Sequence, residues 1–132
     1  MAEISKMFKI MLIIDIIIAF IYGILYLFLP NIVSSINDAP FYDPHFWRLF
    51  GGTILAVGVG SALSIKMKEW EKIKLFILVM LVFLIIIGIV NITSALYTTR
   101  SPTNLVFHWL DTSVIIILII LNGFFYLKEE KQ

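Results

Sequence analysis

An all-α, four-helix transmembrane bundle is the architecture that three features of this chain require. Hydrophobic residues make up 61% of it and charged residues only 14%, against about half and about a quarter in a soluble domain. Four long apolar runs recur along it, each able to cross about 30 Å of hydrocarbon at about 1.5 Å per helical residue. Basic residues gather in the segments that one side of such a bundle shares. The mean hydropathy of +1.01 places the chain in lipid rather than water, and residues 1–132 read as one integral membrane domain.

After a short polar lead with Lys6 and Lys9, the first span covers 10–29, with Asp15 as its one charge and Pro30 as its stop. Its apolar stretch is too long for a secretory signal and no small-residue cleavage site follows it, so a retained span is expected. Residues 31–46 (NIVSSINDAPFYDPHF) form the longest connection, rich in turn formers; within it, 31–36 suits a short interfacial turn of helix. The second span, 47–65, leads into the charged link KMKEWEKIK, where Trp70 suits a membrane–water boundary. The third, 75–97, carries no charge, but Asn91, Thr93 and Ser94 gather toward its end. Ser101 and Pro102 have the chemistry of an N-cap and a first helical position. The fourth span, 105–127, contains Asp111 and ends in a charged tail.

Four spans put both termini on one side. That side holds Lys6, Lys9, Lys66, Lys68, Lys72, Lys74, Lys128 and Lys131, and leaves only Arg48 and Arg100 opposite. Basic residues in short loops resist translocation, so both termini are expected in the cytoplasm, with the chain multi-pass in the cell membrane. Phe41, Tyr42, Phe46, Trp47, Phe107 and Trp109 then cluster near the outer boundary, as an interfacial belt does.

Small residues in the second span fall at every fourth position: Gly52, Ala56, Gly60 and Ser64. Such a stripe lets another backbone approach closely, and in lipid close packing replaces the hydrophobic effect as the source of helix association. Packing inside the bundle, against Ala19–Gly23 or Gly88–Ala95, is expected ahead of an interface between copies.

Polar residues form two layers. Near the inner face lie Asp15, Ser61, Ser64 and Asn122; near the outer face lie Arg48, Asn91, Ser94, His108 and Asp111. His108, Asp111, Ile115, Leu118 and Asn122 share one helical face, as do Asp15, Ala19, Tyr22 and Tyr26, and both faces should turn inward because charge facing lipid costs several kcal/mol. Asp15 reads as a carboxylate held by Ser61, Ser64, Asn122 or Lys9, or else as a proton or cation site. Arg48 and Asp111 read as an ion pair clasping the second and fourth spans, with His108 one turn away. The alternative is a small-ligand site with Arg48 for an anionic or carbonyl group and Tyr97, Phe107 or Trp109 as walls. A cavity between these spans favours ligand binding; a filled core with Arg48 on Asp111 favours a scaffold.

The chain has no cysteine, which excludes disulfides, thiolate metal sites and dithiol redox chemistry. His45 and His108 are too few and too far apart for a metal or haem site, so no cofactor is expected. No basic patch suits nucleic acid.

The run Arg48-Leu49-Phe50-Gly51-Gly52, leading to Leu55-Ala56 and Gly58, resembles the second span of DoxX-like membrane proteins. That resemblance implies four transmembrane helices, and through some members an accessory role beside a thiosulfate:quinone oxidoreductase partner. Only Arg48, Gly51 and Gly52 carry over from it, as a structural or pocket signature. The leading functional expectation is a non-enzymatic membrane protein: an accessory subunit, or a bundle binding a lipid or quinone, with the bilayer and a membrane protein or second copy as partners. A proton-coupled exporter using Asp15 comes second. It is similar to the small multidrug resistance family in length and in having an acid in the first helix. It lacks that family's glutamate motif, and the lysine bias opposes dual insertion. An enzyme acting on a lipid or quinone through His108, Asp111 and Arg48 comes last, for want of a nucleophile or metal site.

Overall fold

A computed structural model describes residues 3–131; Met1, Ala2 and Gln132 of the polar lead and charged tail lie outside the described residues. Five helices follow one another, α1 (Lys6–Phe28), α2 (Pro30–Ile36), α3 (Pro44–Met67), α4 (Trp70–Tyr97) and α5 (Pro102–Glu129), with no strand among the described residues. The four long ones are long and apolar enough to cross a membrane. At about 1.5 Å per residue they measure about 35–42 Å, more than the hydrocarbon thickness of a bilayer, about 30 Å.

Local chemistry sets each end. The Ser5 hydroxyl accepts from Phe8 N–H at 3.2 Å, starting α1 four residues before the apolar run. Pro30, which has no N–H to continue α1, instead opens α2. Asp43 caps α3 by accepting from His45 N–H at 2.9 Å, with Pro44 in the first turn. Lys68 closes α3 in the left-handed region at φ 61°. Ser101 accepts from Asn104 N–H at 3.2 Å and Pro102 begins α5. All four long helices therefore begin before their apolar runs, and α3 and α5 also continue past them.

The bundle is two closely packed pairs, α1 with α3 and α4 with α5, which meet each other more sparingly. Glycine makes the first pair close. A methyl group on Gly51 would lie 2.6 Å from the Leu27 nitrogen and 2.9 Å from the Gly23 carbonyl oxygen, and one on Gly58 would lie 2.9 Å from Ala19 Cβ. The expected stripe of Gly52, Ala56, Gly60 and Ser64 is not the surface that meets α1. Gly52 faces open space, Ala56 is exposed, and Gly60 abuts the Phe76 ring of α4. Ser64 is buried, its hydroxyl turned back onto the Gly60 carbonyl at 2.9 Å. Gly88 meets Ile115 and Ile119 of α5, not α3.

At the end that carries the termini the two pairs join in a dense core of Ile4, Phe8, Met11, Leu12, Trp70, Ile73, Ile77, Met80 and Phe125. Phe8 meets Trp70 edge to face, with ring centroids 5.5 Å apart. Ile4 N–H donates to the Lys68 carbonyl at 2.9 Å, and the Trp70 indole donates to Glu130 at 2.8 Å. Buried Glu129 accepts from both the backbone N–H and the hydroxyl of Ser5. Its negative charge thereby sits at the positive N-terminus of α1. This end is sealed. Away from the core the long helices show their Ile and Leu side chains outward, Ile17, Ile86 and Ile117 each being more than half exposed, as a lipid-facing surface requires.

Candidate functional site

Beyond this core, toward the opposite end, the pairs leave between them a cavity of about 470 Å³. It is walled by all four long helices and by Asn37, Ala39, Pro40 and Phe41 of the α2–α3 connection. Most of its lining is apolar: Ile18, Ala19, Ile54, Val57, Met80, Leu84, Ile87, Val114, Ile115 and Leu118 contribute, with Tyr22, Tyr26, Trp47, Phe50, Phe83 and Phe107 as an aromatic share. Volume and lining are those of a site for a small molecule.

Its polar groups come in three tiers. At the rim, Arg100 donates to the Asn104 side-chain oxygen at 2.6 Å and to the Ser94 hydroxyl, and Asn104 donates to the Asn37 carbonyl at 2.8 Å. These bonds tie the last turn of α4 and the first turn of α5 to the end of α2. One turn along α5, the His108 ring Nε2 donates to the Asn91 carbonyl at 2.8 Å and so braces α5 on α4. In the middle tier Tyr22 donates to Asp111 at 2.9 Å. Tyr22 and Tyr26 lie ring to ring at 5.9 Å, and Tyr26 meets Trp47 at 5.2 Å. At the floor, about 10 Å beyond Tyr22 along α1, Asn122 donates to Asp15 at 3.1 Å. Asp15 is 5% exposed and Asn122 fully buried. The second Asp15 oxygen and the Asn122 side-chain oxygen find no donor among the described residues. Such orphaned buried acceptors cost about 1–3 kcal/mol each.

Of the residues expected from sequence, Asp15, Asn91, His108 and Asp111 line this one cavity, and Asn122 supports its floor. Of Asp15's four expected partners, Asn122 is the one bonded to it; Ser61 donates to Met80 sulfur at 3.7 Å and Ser64 to its own helix. The Arg48–Asp111 pair is not formed. Arg48 is exposed on the first turn of α3, the phenol of Tyr22 takes the carboxylate, and the ion pairs among the described residues are Lys72–Glu69 and Lys74–Glu71. Tyr97 is no wall: at the last position of α4 it is 86% exposed. Trp109 points away, and Phe107 does line the site. Sequence reasoning missed Arg100 and Asn104; the Ser101–Pro102 cap, which fixes where α5 begins, was the signal that placed them beside each other. No cluster of three or more metal-ligating side chains occurs among the described residues.

Comparison with protein-family models, curated proteins and solved structures gives no match.

Proposed function

We propose that the protein is a non-enzymatic multi-pass protein of the cell membrane that holds a lipophilic molecule between its two helix pairs. The supporting observation is the cavity: about 470 Å³, mostly apolar, with a few polar groups at distinct depths. A scaffold has no use for such a space, because packing in lipid rewards filled helix interfaces. The absence of an Arg48–Asp111 clasp favours the same reading. Both termini face the cytoplasm in this proposal, supported by the eight lysines on their side, and the rim of the cavity then lies at the outer leaflet. A relationship to DoxX-like proteins rests on the Arg48-to-Gly58 run alone, and an accessory role beside a redox partner goes with it.

The experiment is mass spectrometry of protein extracted gently from its membrane, comparing the wild type with Ile87→Trp, which puts an indole into the cavity from α4. The wild type is expected to retain a small lipophile, a lipid or quinone among the candidates, and the variant to lose it while folding normally. Equal retention by both, or none by either, contradicts the proposal.

A further inference from the structure

The floor of the cavity limits what chemistry can occupy it. Two carboxylates line the site, Asp15 at the floor and Asp111 halfway up, and the basic side chains among its walls, Arg100 and His108, sit toward the rim. Arg100 is engaged by Ser94 and Asn104, and His108 by the Asn91 carbonyl. Neither reaches the floor: Asp111 already stands about 13 Å along α5 from its first residue, and Asp15 is deeper still. Of the two orphaned acceptors at this depth, an oxygen of Asp15 and one of Asn122, the first belongs to a residue of the lining and the second lies behind it. An occupant that meets Asp15 must donate a hydrogen bond, and one that also neutralises the carboxylate must be a cation. An anionic amphiphile meets like charge at the floor. A neutral alcohol supplies one donor and no countercharge.

The walls suit a cation with an apolar body. Tyr22, Tyr26, Trp47 and Phe50 pack ring against ring along α1 and α3 between the rim and the floor, and such rings offer an apolar body a large contact area. We infer that the cavity takes a lipophilic amine in its ammonium form, its N–H directed to Asp15 and its apolar body against the aromatic wall. This inference rests on the ligand-binding reading and names the class of ligand.

One cage with three headgroups tests it: 1-aminoadamantane, 1-adamantanol and 1-adamantanecarboxylate. Equilibrium dialysis against the full chain in phosphatidylcholine nanodiscs, with protein-free nanodiscs subtracting partition into lipid, gives the three affinities near neutral pH. The amine is expected to bind about tenfold or more tightly than either analogue. Asp15→Asn should bring amine and alcohol together, and Asp15→Glu should keep most of the preference. A hydrophobic carbodiimide reads the same site without substitution, since amine bound at Asp15 should block the adduct there in the wild type. Amine and alcohol binding alike, carboxylate binding best through Arg100, or an Asp15 adduct indifferent to amine overturns the inference. In those cases the floor acceptors are met another way, as when a proton shared by Asp15 and Asn122 closes both. If none of the three cages shows saturable binding, the amine inference fails as well. Retention of a native lipophile by the wild type and its loss in Ile87→Trp decide the broader proposal separately.

Discussion

The Asp111 carboxylate takes its hydrogen from Tyr22 across 2.9 Å, while Arg48 stands exposed at the start of α3. A phenol brings a donor into the bundle without a second charge to desolvate, whereas a guanidinium near a helix end keeps its head in the headgroup layer. Tyr22→Phe should therefore lower stability by about 1–2 kcal/mol in detergent, with Arg48→Gln neutral within about 0.5 kcal/mol. Thermal unfolding of both variants in one micelle checks this, and a larger loss for Arg48→Gln would restore the ion pair. Inward-facing polar residues were legible because helical periodicity alone put Asp15, Tyr22, His108, Asp111 and Asn122 on buried faces. Which donor meets which acceptor was not, since that depends on the rotation of one helix against another. Arg100 was missed for a related reason: in a short turn it reads as a solvated charge, and only the meeting of α4 and α5 brings it over the cavity.

At the scale of the helix, Gly51 and Gly52 are neighbours in sequence with opposite roles. Residues four apart advance about 400°, or 40° beyond a full turn, so Gly52, Ala56, Gly60 and Ser64 wind about 120° around α3 and cannot all meet one partner. Seven residues fall only about 20° short of two turns, which is why Gly51 and Gly58 face α1 together. Gly51→Ala must push α1 and α3 apart, because the atoms in its way are backbone, and should cost about 1–3 kcal/mol. Gly52→Ala meets nothing within 4 Å and should be neutral or stabilising by up to about 1 kcal/mol. Unfolding midpoints of the two variants check the pair; equal losses would mean that α3 is rotated from the position described. That small residues join helices was readable, as was the Ala19–Gly23 partner. The register was not, because counting by four follows a slanted row rather than a face.

Over the whole molecule, four long helices and the short α2 were legible from hydropathy and caps, and lysine placement adds the expectation of a side. The cavity had no sequence signal. It lies away from the terminal end, which Phe8, Trp70, Ile73 and Phe125 fill, between two pairs that meet each other only sparingly. No periodicity encodes a volume shared among the side chains of four helices. The central claim is a membrane bundle closed on the side of its termini and entered from the other. The chain has no cysteine, so a single introduced thiol reports without background. Ala39→Cys stands at the cavity rim and Lys131→Cys beyond the sealed end. In intact cells a membrane-impermeant maleimide should label Ala39→Cys and reach Lys131→Cys only after lysis. Labelling of Lys131→Cys in intact cells, or an Ala39→Cys thiol silent until the cells are opened, would contradict the account.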